Sequence, residues 1–238
     1  MKTQPTQPAD RIVSLDVLRG FAILGILIMN IQSFSMPEAA YLNPTAYGNF
    51  EGINKWVWIL SHLFADMKFM TLFSILFGAG IVLFTRRLEA KGEYSPAVHY
   101  RRTRWLLLFG LAHAYLLWYG DILVMYAASG LWVVLLRKKK PRTLFITGMV
   151  VFSVASALYL FTGFTLPFVD EASKQEILQT WAPGAEALHQ EIATYRGSWT
   201  TQMEHRIPGA LMMQTFIFFF QTGWRAGGLM LLGMALFK

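Results

Sequence analysis

Apolar residues in this chain gather in long blocks broken by short polar stretches, and they do not alternate with polar ones. Alternation would mark half-buried strands or a membrane barrel, whereas long unbroken blocks mark helices. A helix needs about 20 mostly apolar residues to cross about 30 Å of hydrocarbon. The blocks predict helices over 15–33, with Ser14 as N-cap, and over 67–85, 105–119, 122–136, 143–168 and 208–224. The tryptophan-rich stretch 56–63 reads as an interfacial segment, or as a backward extension of the second helix into one long or kinked rod. A tight turn at Gly120 and Asp121 joins the third and fourth helices into a hairpin, and both are short for a span. Residues 226–238 start a seventh helix. They would make about 20 Å of helix and stay apolar through Phe237, so the chain is expected to be cut within that helix.

The pattern therefore predicts an all-α fold, a polytopic transmembrane helical bundle with about six complete spans and an unfinished seventh. Residues 1–14 form a cytoplasmic tail, and 15–168 a five-helix transmembrane region with basic loops. Residues 169–207 are an extracytoplasmic polar loop with one or two short soluble or interfacial helices, and 208–238 hold the last helices. Neither a repeat of fixed period nor a low-complexity segment interrupts this order.

Charge gives the bundle a direction. Lys2 and Arg11, then Arg86, Arg87, Lys91, Arg101, Arg102 and Arg104, then Arg137, Lys138, Lys139, Lys140 and Arg142, then Arg225 all fall in alternate inter-helix stretches. The intervening stretches carry only Lys55, Lys174, Arg196 and Arg206. The positive-inside rule puts the richer set, and the N-terminus, in the cytoplasm of a bacterial inner membrane. Only 15% of residues are charged against 55% hydrophobic, so the net charge of +7 reads as loop topology, with no nucleic-acid partner. Membrane lipids are the expected partners, and a homo-oligomer stays open. With no cysteine, disulfides and thiolate-held metals are excluded. The first apolar block lacks a small-residue cleavage site and is read as a retained helix.

Ionisable groups within apolar blocks are costly, so each needs a reason. Asp16 and Arg19 are three apart on one helix face, where they can pair, or where Arg19 and the basic loops can hold phosphates. His62 and Asp66 are four apart, the spacing of an oriented general base or of an interfacial pair, and Lys68 is close enough to compete for Asp66. His113 lies mid-way along its block and must bond to a neighbouring helix or line a wet cavity. Asp121 reads as a turn residue, and with Trp118 it is the substrate-side candidate at the outer turn. Gly78, Ala79 and Gly80 with Ser74 form a small-residue face for close helix packing. His189, His205, Glu186, Glu191 and Glu204 match no metal-ligand spacing, and no metal is expected.

Three segments carry a resemblance: residues 11–20 (RIVSLDVLRG), 68–78 (KFMTLFSILFG) and 110–123 (GLAHAYLLWYGDIL). The first resembles the opening of many membrane acyltransferases. The other two are similar to signatures of the YeiB-like family of bacterial inner-membrane proteins, and the resemblance extends over nearly the whole chain. That family is grouped with a transmembrane acyltransferase superfamily, which includes heparan-α-glucosaminide N-acetyltransferase and the sugar O-acetyltransferases. The resemblance implies a transmembrane acyltransferase that passes an acyl group from cytoplasmic acyl-CoA to a glycan-like acceptor across the membrane. No tightly bound cofactor is implied, and acyl-CoA would be a co-substrate. An intramembrane histidine is the usual base, which makes His113, or His62 with Asp66, the catalytic candidates. Arg19, Arg101, Arg102 and Arg104 become candidates for the phosphates of acyl-CoA. A transporter or flippase of an anionic or glycan-like solute is the alternative. The resemblance also implies further helices beyond residue 238.

Overall fold

The computed structural model describes residues 12–238, all helical apart from connecting turns and loops. The tail residues 1–11, with Lys2 and Arg11, lie outside the described residues. The chain forms α1 (Val13–Ser35), α2 (Ala39–Leu42), α3 (Gly52–Phe64), α4 (Lys68–Ala90), α5 (Pro96–Ala112), α6 (Leu123–Val133), α7 (Pro141–Thr165), α8 (Glu171–Trp181), α9 (Ala185–Arg196), α10 (Trp199–Met212) and α11 (Gly223–Leu236). The starts follow local chemistry. Pro96 and Pro141 sit in the first turns of α5 and α7, where a missing N–H costs nothing. Asp170 and Ser198 cap α8 and α10 by accepting the amides of Ser173 at 3.0 Å and Thr201 at 3.2 Å. Ser14 caps nothing: α1 already includes it and begins one residue earlier, after Ile12.

Several expected boundaries move. The long-rod alternative for α3 and α4 holds with a break, because Met67 takes a left-handed φ of 60° between them. The stretch 86–104, expected as a basic loop, is mostly helix: α4 runs to Ala90 and α5 starts at Pro96. Arg101, Arg102 and Arg104 are therefore helical residues. The largest correction concerns residues 208–238. The chain passes from α10 through a π-helical segment (Met213–Thr222) directly into α11 without leaving helical geometry. Residues 226–236 thus continue one long helix, and Arg225 lies inside it.

That last helix occupies the centre. α11 packs between α4 and α7, and Met230, Leu231 and Met234 are fully buried beside Val82, Val133 and Leu144. The packing depends on glycine at each crossing. A Cβ on Gly78 would strike the Met230 carbonyl, one on Gly233 the Ile75 carbonyl, and one on Gly228 the Phe152 backbone. The small-residue face expected on the second helix therefore has a defined partner, the glycine-rich face of α11.

The outside is apolar where a water-soluble protein would be polar. Phe21, Leu24, Ile31, Val150, Leu160, Phe161 and Phe164 are all exposed. Such a surface is an aggregation liability in water and costs nothing against lipid tails. Three helical stretches among the described residues are long and apolar enough to cross a membrane: Val13–Ser35, Gly52–Ala90 and Pro141–Phe168. The apolar stretch Leu123–Leu136 is shorter.

The two ends of the bundle differ. At one, Arg137 meets Glu89 at 3.2 Å, Arg86 donates to the Lys238 carbonyl, and the Lys238 ammonium donates to the Arg137 carbonyl. This is the basic end. At the other, Phe34 packs on Trp118, Asn43 donates to the Trp181 carbonyl, and Trp199 donates to the Leu116 carbonyl. This aromatic end is where α8 and α9 fold back over the helix termini.

Candidate active site

At the aromatic end the last turn of the third block widens. The α5 helix stops at Ala112, and His113–Leu117 form a π-helical turn. Trp118 then leaves in an extended conformation, with φ −155° and ψ 127°, and the chain reverses through Gly120. The reversal closes the gap between His113 and Asp121, whose Nδ1 and Oδ1 lie 2.9 Å apart. Asp121 is thus more than the turn residue expected, and it is not too far toward the surface to meet His113. Two turns of continuous helix would have kept them apart; the extended Trp118 and the reversal bring them together.

Asp121 is fixed from a second side. Its other oxygen accepts the Val124 amide at 2.8 Å, in the first turn of α6, where free N–H groups and the helix dipole favour an anion. The Asp121 side chain is 1% exposed and that of His113 is 37%. A carboxylate held this way accepts the Nδ1–H, which leaves Nε2 as the basic nitrogen. Among the described residues nothing hydrogen-bonds His113 Nε2.

Trp118 stands edge-on to His113, with ring centroids 6.4 Å apart, and packs on Phe34 of α1 at 4.8 Å. A Cβ on Gly120 would strike the Trp118 ring, so this turn requires glycine for space. The Tyr115 hydroxyl donates to Gln214 Oε1 at 3.3 Å, joining the two π-helical segments. The indole N–H of Trp118 and Nε2 of Gln214 are buried without a protein acceptor. Each such orphan costs about 1–3 kcal/mol unless water or a ligand accepts from it. Orphan donors and π-turns both concentrate at binding sites.

The π-turn is held from outside. The Leu116 carbonyl receives both Trp199 Nε1 and Arg206 Nη1, each at 3.0 Å. Arg206 is 5% exposed and also donates to Gln202 at 2.9 Å. Sequence reasoning counted Arg206 only as an outer-loop cation. Its signal in the sequence is a cation two residues before the apolar block 208–224. Nearby, Glu38 lies 3.9 Å from His205, and the Glu38 amide donates to Glu191 at 2.8 Å. Burial, then the Glu38 and Glu191 carboxylates, push the Tyr195 phenol up to about 12, so it remains a donor. The described residues contain no group of three possible ligands placed to hold a metal.

His62 and Asp66 do not pair. The α3 helix ends at Phe64, and the unwound turn before Met67 breaks the spacing that would have put them on one face. His62 stacks on Trp58 at 4.0 Å, with its two ring nitrogens against the Trp58 and Tyr41 carbonyls at 2.9 and 3.1 Å. Asp66 instead accepts from the Tyr41 hydroxyl at 3.4 Å, and Lys68 donates to the His62 carbonyl at 3.0 Å.

Toward the basic end, Arg19 bonds Asp16 at 3.0 Å, as the spacing required, and reaches the Leu76 carbonyl at 3.5 Å. Its guanidinium lies over Gly80, where a Cβ would come within 3.0 Å of it. Arg102 lies over the Phe84 ring at 4.0 Å, and Arg19 is the charge that acts on it. Arg101 and Arg104 are exposed on the same helix.

No family model matches the chain, and no solved structure matches it. Among curated proteins it is 33% identical over 231 residues to the uncharacterized protein YeiB of Escherichia coli, covering 96% of this chain and 56% of the relative. It is 39% identical over 193 residues to the uncharacterized protein YxaH of Bacillus subtilis, covering 78% of this chain and 46% of the relative. An uncharacterized 39.9 kDa protein from the amylase 3′ region of Bacillus acidopullulyticus is 31% identical over 162 residues, 67% of this chain and 44% of that protein. The chain spans about half the length of these curated relatives. The chain is thus a homologue of the uncharacterized YeiB protein over nearly all of its own length, and of YxaH over about three quarters of it, which supports its YeiB-like character.

Proposed function

We propose that the chain is the acceptor-activating part of a transmembrane acyltransferase, with His113 as general base. The observation that carries this reading is the His113–Asp121 pair, with its buried, doubly held carboxylate and an imidazole that faces outward. A positioned base of this kind contributes about 10²–10⁴-fold to a rate. In the reaction, His113 Nε2 takes the proton of an acceptor hydroxyl as its oxygen attacks the thioester carbonyl of acyl-CoA. The C–O bond forms, the C–S bond breaks, and the imidazolium returns the proton to the leaving thiolate. The products are an acyl ester and free thiol. The orphan N–H groups of Trp118 and Gln214 are the available donors for acceptor oxygens.

In this reading the basic end faces the cytoplasm, and Arg19, Arg101, Arg102 and Arg104 attract the phosphates of acyl-CoA. His113 is about 16 Å along α5 from Arg102, at 1.5 Å per residue. A thioester on an extended carrier arm would have to reach that far into the bundle. Six crossings follow if α1, α4, α5, α6, α7 and the α10–α11 rod each span once, with α8 and α9 outside.

The test is release of free thiol from acyl-CoA by the purified protein, with and without a cell extract supplying acceptors. Acceptor-dependent release that His113→Ala abolishes and His113→Gln does not restore is the expected result, because glutamine bonds but does not titrate. Absence of release and of acylated product with every acceptor overturns the proposal. Uptake of an anionic or glycan-like solute into proteoliposomes would then favour a transporter.

A further inference from the structure

The continuity of the last helix puts Arg225 where no inter-helix cation belongs. Its helix leads from the π-helical segment into the buried face of α11, and Ala226 and Leu229 beside it are core residues. A small cavity lies against the guanidinium, bounded by Met67, Met70, Ser74, Met125, Tyr126 and Gln221. Ile122, which follows Asp121 directly, also lines it, so the cavity lies just behind the candidate active site.

The guanidinium is poorly satisfied there. It has five N–H donors, and among the described residues its one hydrogen bond is to the Thr71 hydroxyl at 3.4 Å. The Phe152 ring is 5.9 Å away, at the outer limit of a cation–π contact, and carries no charge to balance it. Among the described residues no carboxylate comes within 4.0 Å of it. Asp66 is in the same neighbourhood, since both charges act on the Tyr159 hydroxyl, yet it accepts from the Tyr41 hydroxyl. The hydroxyls around the cavity are already engaged. The Ser74 and Tyr126 hydroxyls lie 2.7 Å apart, one donating to the other, and the second donates to the Met70 carbonyl, which is within reach of both; Thr222 donates to Met125 Sδ at 2.9 Å. A half-buried cation among apolar side chains without a counter-charge is costly, and a functional role is the first reading for it.

We infer that Arg225 is the anchor of a binding site for an organic anion with an apolar chain, a carboxylate or phosphate group on a hydrocarbon tail. The anionic group bonds the guanidinium at the cavity mouth, and the tail runs among Met67, Met70 and Met125. The free space, about 20 Å3, holds about one water, so the walls must yield to admit more. Methionine is the side chain suited to that, being unbranched and readily repacked. This site does not depend on His113 being catalytic.

The experiment is thermal unfolding of the purified chain in neutral maltoside micelles, followed by its own tryptophan fluorescence. The ligands are decanoate, decyl phosphate, decanol and inorganic phosphate at matched concentrations. Decanoate and decyl phosphate should bind at least tenfold more tightly than decanol or inorganic phosphate. Arg225→Gln should bring them down to the level of decanol, and Arg225→Lys should restore part of the preference. Decanol binding as tightly as the anions overturns the role of charge, and inorganic phosphate doing so overturns the role of the tail. An undiminished anion preference in Arg225→Gln overturns the assignment to this residue. Should Arg225→Gln not fold, Met125→Phe keeps the cation and fills the cavity, and unchanged anion binding in that variant overturns the site.

Discussion

Replacing Asp121 by asparagine tests the candidate site most sharply, because the change is nearly isosteric and its effects on rate and stability separate. One carboxylate oxygen serves His113 at 2.9 Å and the other the Val124 amide at 2.8 Å. An asparagine has one acceptor oxygen and one donor NH₂ to divide between them. Val124 N–H is an obligatory donor, so the amide oxygen turns to it and the NH₂ faces Nδ1. Nδ1 must then accept, the proton moves to Nε2, and the nitrogen that should act as base is blocked. Both hydrogen bonds persist, so the stability change should stay within about 1 kcal/mol, while turnover falls by about 10²–10⁴-fold. Asp121→Ala gives the contrast. It leaves the Val124 N–H buried without a partner and should cost about 1–3 kcal/mol of stability as well as activity. Thiol release from acyl-CoA reads the rate, and thermal unfolding in micelles reads the stability. Near wild-type turnover in Asp121→Asn would refute the orienting role, and equal stability of the two variants would refute the cap.

Other outcomes follow from the same geometry. Gly78→Leu should prevent α4 and α11 from closing, since even a Cβ meets the Met230 carbonyl; loss of the folded species on size exclusion checks it. Arg206→Ala removes one of two donors to the Leu116 carbonyl and should lower stability by about 1–3 kcal/mol, with Arg206→Lys closer to wild type, as read by thermal unfolding. Arg19→Leu should reduce acyl-CoA turnover while expression is retained, and full activity would remove Arg19 from the basic-end site. Reporter fusions at Lys139 and Glu186 should report opposite sides of the membrane, and finding them on the same side would overturn the six-crossing order.

Block length and composition alone made the chain helical, and they located α1, α4, α6 and α7 to within a few residues, because hydrocarbon thickness sets a local, one-dimensional requirement. The Asp16–Arg19 pair was legible for the same reason: helical periodicity by itself decides which residues three apart share a face. The small-residue face at Gly78 was legible too, though not its partner. What the sequence did not show were contacts that depend on departures from regular helix. The unwound turn at Met67 separated His62 from Asp66, and the π-turn with the extended Trp118 joined His113 to Asp121. Each departure shifts neighbours by more than the periodicity predicts, and tertiary packing decides where it falls. The same holds for Arg225. A cation after an apolar block reads as the end of a span, and only the packing of α11 between α4 and α7 half-buries it against the bundle.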